Sequence, residues 1–121
     1  MADLVPYHDR DGFIWFDGKM VPWRDAQVHV LTHALHYASA VFEGERSYGG
    51  EIFKLREHTE RLIESARMLD FEIPYSAEEI DQACRDTLKA NRMARQRTDG
   101  RFGAEEQDPP RRRSVELGLV F

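Results

Sequence analysis

The chain has 121 residues, 41% hydrophobic and 32% charged, with a formal net charge of −5 at pH 7. That suits one soluble domain able to bury a core and excludes the basic field a nucleic-acid binder needs. The single cysteine, Cys84, excludes an internal disulfide and a multi-cysteine zinc site and fits a reducing compartment, the cytoplasm. The start carries no basic stretch followed by an apolar one, and no apolar run approaches the roughly 18 residues of a membrane span, so neither a secretory signal nor a membrane anchor is expected.

Residues 1–12, with Asp9, Arg10, Asp11 and Gly12, read as an exposed lead-in. Two apolar runs, residues 13–16 and 19–23, flank Asp17-Gly18, the strongest short-range signal for a β-hairpin. Pro22 places the second strand at an edge or ends it early. Val41, Phe42 and Tyr48 favour a strand over residues 40–48, Gly49-Gly50 makes a turn, and residues 51–54 return as a short strand. From Leu55 the period changes: Leu55, Thr59, Leu62, Ala66 and Leu69 recur at steps of four and three, one face of a helix. Pro74 blocks its continuation. Ser76 and Glu79 form a capping box that opens a second helix to about Asn91, with Ile80, Ala83, Cys84, Thr87 and Leu88 facing inward. The order hairpin, hairpin, helix, helix predicts an α+β fold, an antiparallel sheet with two helices on one face. Residues 92–121 are arginine-rich, contain Pro109-Pro110 and show no helical or strand period until apolar character returns at Val115, so by composition they are expected to be disordered.

Several residues invite a chemical reading. His29, His33 and His36 stand four and three apart, a spacing that would align them on one helix face for a metal. Val28 and Val30 make that end strand-like, and no acid lies within the cluster, so packing around a turn is the favoured reading and no metal is assigned. Gly44 and Arg46 share a strand face two residues apart. A small gap beside a guanidinium suits an anionic ligand; the plainer alternative is a glycine bulge with Arg46 solvated or paired to Glu43 or Glu45. Arg56 and Arg61 read as surface residues, with Glu57 and Arg61 an ordinary i,i+4 pair. Tyr37 and Phe42 could line a pocket, although most such aromatics are core.

Taken in order, Ile14-Trp15-Phe16-Asp17-Gly18-Lys19-Met20-Val21, then Trp23, then Val28-His29-Val30-Leu31-Thr32-His33-Ala34-Leu35-His36-Tyr37, then Val41-Phe42-Glu43-Gly44-Glu45-Arg46 resemble the branched-chain-amino-acid aminotransferases. Leu55-Arg56-Glu57-His58-Thr59-Glu60-Arg61-Leu62, Ser65-Ala66 and Ala83-Cys84-Arg85-Asp86 continue the resemblance, which covers residues 13–91. It implies the small α+β domain of the class IV aminotransferase fold. In that fold pyridoxal 5'-phosphate sits between the small domain and a larger one, on a Schiff-base lysine of the larger. The implied reaction exchanges the amino group of leucine, isoleucine or valine with 2-oxoglutarate, with glutamate and 2-oxo acids as the other reactants, in the biosynthesis of branched-chain amino acids by a cytoplasmic homo-oligomer. The cofactor serves as electron sink. The resemblance makes Arg61 a ligand of the cofactor phosphate and puts Tyr37, Phe42, Gly44 and Arg46 at the substrate pocket. There the two aromatics would be apolar walls, Gly44 room for a branched side chain, and Arg46 a polar contact.

Two family features are missing. A Tyr-x-Arg-Pro strand expected after the second helix does not occur, and Lys19, Lys54 and Lys89 do not stand in the Schiff-base motif. No catalytic residue is therefore assigned, and the chain is expected to be an inactive fragment on its own. Read one base later, the codons of Met93-Ala94 must give tryptophan, and synonymous codons for residues 92–120 spell a stretch resembling the family's next segment. Residues 92–121 are accordingly read as an out-of-frame tail after a short deletion. Alternatives are a fragment of a D-amino-acid transaminase or an aminodeoxychorismate lyase, or a non-catalytic binding module with an adhesive apolar face.

Overall fold

The computed structural model describes residues 4–98 and 113–115. Asp17 and Gly18 both take left-handed backbone angles, φ 45° and 89°, as a two-residue turn matched to strand twist requires. They join β1 (Phe13–Phe16) to β2 (Lys19–Pro22), antiparallel with Phe13 opposite Pro22 and Phe16 opposite Lys19. Pro22 closes the strand, as its missing N–H demands, and a single 3-10 turn follows over Trp23–Asp25.

Residues 26–42 lie outside any sheet. Their one regular piece is α1 (His33–Tyr37), a single turn ended by Ala38 in the left-handed region. The strand expected from residue 40 begins only at β3 (Glu45–Tyr48). β4 (Glu51–Ile52) returns across Gly49-Gly50 and pairs only with Ser47 and Tyr48. A strand needs a partner, and among the described residues none reaches 40–44. The far edge of β3 is taken by β5 (Arg113–Val115), with Glu45 opposite Val115. The two hairpins thus belong to separate antiparallel sheets, β1-β2 and β4-β3-β5, rather than one. The α+β class stands.

Helix α2 spans Leu55–Met68, and its expected inward residues Leu55, Thr59, Leu62 and Ala66 are buried. Leu69, at the C-cap, is half exposed. Helix α3 (Ala77–Thr98) opens on the expected capping box: the Glu79 N–H donates to Ser76 Oγ at 3.2 Å, and the Ser76 N–H donates to Glu79 Oε2 at 2.7 Å. Ile80, Ala83, Cys84, Thr87 and Leu88 all face inward. Leu55, Ile80 and Cys84 form the core, with Ile52, Ile63, Ile73 and Tyr75 packed around it.

Two described pieces fall within residues 92–121, the stretch expected to be disordered. Helix α3 continues seven residues beyond Asn91, because Arg92 to Thr98 holds good helix formers and no glycine or proline before Gly100. The polar character of these residues hid the helix, since no apolar stripe marks its period. Arg113–Val115 forms β5. Residues 99–112 and 116–121 of that expected tail lie outside the described residues.

Asn91 ties the two ends of this unit together. Its Nδ2 donates to Phe13 O at 3.0 Å and Thr87 O at 2.8 Å, while its Oδ1 accepts from the Phe13 N–H at 2.9 Å. The close approach needs a glycine next door: a Cβ on Gly12, at φ 133°, would lie 2.5 Å from Asn91 Oδ1.

Candidate functional site

His58 and Arg61 stand three residues apart on α2, on the flank of the buried face that carries Thr59 and Leu62. Glu43, in the segment leading into β3, reaches across to both. Arg61 Nε donates to Glu43 Oε1 at 2.5 Å and Nη2 donates to Oε2 at 2.6 Å, a bidentate fork. His58 Nδ1 lies 2.7 Å from the same Oε2. Hydrogen bonding to Arg61 holds the Glu43 carboxyl below the usual carboxylate range, with His58 adding to the effect and burial opposing it. An ionised carboxylate only accepts, so His58 carries its proton on Nδ1 here. The 3.4 Å approach of Arg61 Nη2 to that nitrogen is then one donor beside another on a shared oxygen.

The exposures of these side chains differ sharply. Glu43 is 8% exposed and Arg61 66%. The Nε/Nη2 edge of the guanidinium is therefore held by Glu43, and Nη1 makes no hydrogen bond or ion pair among the described residues on a side chain that is two-thirds exposed. The expected i,i+4 pair with Glu57 does not form. An exposed helical pair is worth only about 0.3–0.5 kcal/mol, and Arg61 turns to the buried, hydrogen-bonded carboxylate instead.

The other expected site residues surround this pair loosely. Phe42, next to Glu43, is 89% exposed and Tyr37 is 74% exposed. The Tyr37 ring meets only His33 edge-on, with centroids 5.3 Å apart, among the described ring pairs. Gly44 has nothing within 4 Å of where a Cβ would stand. Arg46 is exposed on β3 and makes no ion pair among the described residues. Of its suggested carboxylate partners, Glu43 is paired with Arg61 and Glu45 is buried, away from the exposed Arg46 side chain. The histidine trio does not share a helix: His29 precedes α1, where its Nδ1 accepts from the Leu31 N–H, and His36 Nε2 hydrogen-bonds Val30 O at 2.7 Å. No group of three or more metal-binding side chains occurs among the described residues.

Sequence reasoning did not single out Glu43 and His58 as a cluster with Arg61, nor two buried acids, Asp81 and Glu45. Asp81 accepts from Thr59 Oγ1 at 2.6 Å and pairs with Arg56 Nη2 at 2.9 Å. Glu45 is buried beside Cys84, its Oε2 without a partner among the described residues. Burial raises its pKa, against a lowering effect of His58, and burial likewise pushes the Cys84 thiol far up. Cys84 is inert in this setting. The one available signal was the charge in Phe42-Glu43-Gly44-Glu45, a pair of acids within an otherwise apolar segment.

The model of the family described as amino-transferase class IV matches residues 40–114, which include Glu43, His58 and Arg61. The chain belongs to the class IV aminotransferases. Among curated class IV relatives, the branched-chain-amino-acid aminotransferase of Pseudomonas aeruginosa is 52% identical over 89 residues, 70% of this chain and 29% of the relative. The crystal structure of the Escherichia coli branched-chain amino acid aminotransferase superposes with a TM-score of 0.66 at 44% identity, over 70% of this chain and 29% of that one. The T.th. branched-chain amino acid aminotransferase, complexed with N-(5'-phosphopyridoxyl)-L-glutamate, superposes with a TM-score of 0.64 at 42% identity, over 68% of this chain and 29% of that one. The chain spans about three-tenths of the length of the relatives it matches. No described helix is long and apolar enough to cross a membrane.

Proposed function

We propose that this chain is the small-domain part of a branched-chain amino acid transaminase, which exchanges the amino group of leucine, isoleucine or valine with 2-oxoglutarate by means of pyridoxal 5'-phosphate. The observation that carries this reading is the 52% identity to a relative of that name, across the segment holding Tyr37, Phe42, Gly44, Arg46 and Arg61. The residues present suit the cofactor. The guanidinium of Arg61 is anchored on one edge and leaves Nη1 without a hydrogen bond or ion pair among the described residues, which suits recognition of a phosphate dianion. When bound, pyridoxal phosphate supplies the electron sink for amino-group transfer. Arg61 would hold its phosphate, and the uncovered rings of Tyr37 and Phe42 would close over a branched side chain. The open space at Gly44 would leave that side chain room, and Arg46 would meet an anionic group of the substrate.

The lysine that would carry the proton in the reaction has no counterpart in residues 1–121, so these residues alone should not turn over. The intact protein would be a homo-oligomer with glutamate and 2-oxo acids as its other reactants, and the lone buried thiol fits the cytoplasm. Residues 13–91 would form the domain, and the codons from residue 92 on an altered frame. Coding DNA lacking the family-like string one base later would sink that last point.

A chimera tests the function. Residues 4–91 are joined to the remaining seven-tenths of the Pseudomonas aeruginosa relative, and glutamate is measured with each amino donor. Leucine, isoleucine and valine should react, and Arg61→Ala should weaken cofactor retention by about tenfold or more, as loss of a bidentate charged contact does. Preference for D-alanine, or formation of an aminobenzoate from aminodeoxychorismate, would move the assignment to another class IV activity.

A further inference from the structure

We propose that Glu43 and His58 are positioning residues that aim the open edge of Arg61 at a phosphate, an inference that rests on the phosphate-binding role given to Arg61 above. Arg61 stands mid-helix and two-thirds exposed. A long side chain in that setting samples many rotamers, and ordering it on a ligand costs affinity. Here the ordering is done in advance. Glu43 grips Nε and Nη2 together, which fixes both the position and the plane of the guanidinium. Glu43 is itself held, by burial and by His58 Nδ1 on Oε2.

Two arrangements would explain a carboxylate at this place. Glu43 could occupy the anion position until a phosphate displaces it, or it could hold the arginine from behind. The geometry points to the second. A displaced carboxylate would have to swing out of a site where it is 8% exposed, and it would strand the Nδ1–H of His58. The N–H donors of Arg61 on the Nη1 side lie on the opposite edge, make no hydrogen bond or ion pair among the described residues on a side chain two-thirds exposed, and need nothing moved. The contacts are non-local, 15 and 18 residues apart in sequence, so they tie the Phe42-Glu43-Gly44 segment to α2 at the same time. The neighbouring charges are Glu45 and Asp81, on β3 and α3. Both are buried, and neither makes a hydrogen bond or ion pair with Arg61 among the described residues.

The test uses the full 121-residue chain labelled with nitrogen-15 and titrated with inorganic phosphate. The readout is the arginine Nε–Hε resonances, with the Arg61 signal assigned by its loss in Arg61→Lys. In the unaltered chain the Arg61 signal should be sharp and should shift saturably with phosphate. Glu43→Asp keeps the charge and withdraws the fork, and Glu43→Gln keeps the reach and removes the charge. Both should broaden the signal and raise the apparent Kd for phosphate by at least about threefold, a modest value for loss of an outer orienting partner. His58→Asn places an amide donor near the Nδ1 position and should retain most of the affinity that His58→Ala loses. Glu57→Gln, which removes a nearby charge without touching the fork, should bind phosphate no more weakly than the unaltered chain. Circular dichroism of each variant separates loss of aim from loss of fold, and the His58 pair carries the test if either Glu43 variant fails to fold. Phosphate binding in the Glu43 variants equal to or tighter than in the unaltered chain overturns the positioning role and leaves Arg61 as the phosphate ligand. No shift of Arg61 with phosphate in the unaltered chain overturns both.

Discussion

Glu43 and Glu45 stand two residues apart and respond to acid in opposite ways. Glu43 is held ionised by Arg61, so its contribution to stability is present above the ordinary glutamate pKa of 4.5 and is lost as pH falls through its lower folded value. Glu45 is pushed up by burial, so the folded chain favours its protonated form. The stability linked to it is complete below 4.5 and declines as pH rises through its raised folded value. Glu45→Gln should therefore stabilise the chain near neutral pH by on the order of 1 kcal/mol, the scale of relieving one unpaired buried polar atom. Urea unfolding at pH 7 and pH 4 would measure it, and an equal gain at both values would refute the proton-linked account. Glu43→Gln should instead flatten the acid limb of the stability curve. None of this was legible in the sequence. The partners of Glu43 lie 15 and 18 residues away, and a local pattern offers Arg61 only Glu57. The resemblance singled out Arg61, whereas its contacts with Glu43, and those of Glu43 with His58, are visible only in the fold.

The helices are the elements that the sequence reported best, because a step of three and four residues marks a buried face whatever lies opposite it. Leu62 and Ile80 are buried on the two helices that face each other. Replacing either by alanine should cost about 2–4 kcal/mol through lost burial and a residual cavity. Thr59→Val should cost about 1–3 kcal/mol despite its matching shape, because Asp81 loses a 2.6 Å hydrogen bond in a buried setting. Thermal unfolding followed at 222 nm would rank these variants, and a neutral Thr59→Val would show that Arg56 alone satisfies Asp81. The β-elements were half legible. The Asp17-Gly18 turn was, since its backbone angles demand those residue types. The start of β3 was not, because apolar Val41 and Phe42 resemble strand residues but have no partner strand among the described residues. The end of α3 was missed for the opposite reason, a helix with no apolar stripe.

Across the whole molecule, the described structure divides into a packed part and an open one. Val28, Val30, Leu31, Leu35, Tyr37 and Phe42 are all largely exposed, and the backbone hydrogen bonds around them are local, such as Thr32 N–H to His29 O and Leu35 N–H to Thr32 O. Segments with few buried contacts open first. Brief chymotrypsin treatment should cut at Leu31, Leu35, Tyr37 or Phe42 before Leu62 or Leu88, and mass spectrometry of the early fragments would check this; first cuts within α2 or α3 would count against it. Asn91 sets the other limit of the packed part. One side-chain amide joins the strand that begins at Phe13 to the helix that carries Asn91, so the two extremes of the family-like stretch are neighbours in space. The chain between them is a nearly closed ring with a loose link at residues 26–42. Such a ring can be cut elsewhere and rejoined: a circular permutant joined by a short glycine-serine bridge from Arg92 to Gly12, and opened between Ala38 and Ser39, should still dock the β1-β2 hairpin on α3.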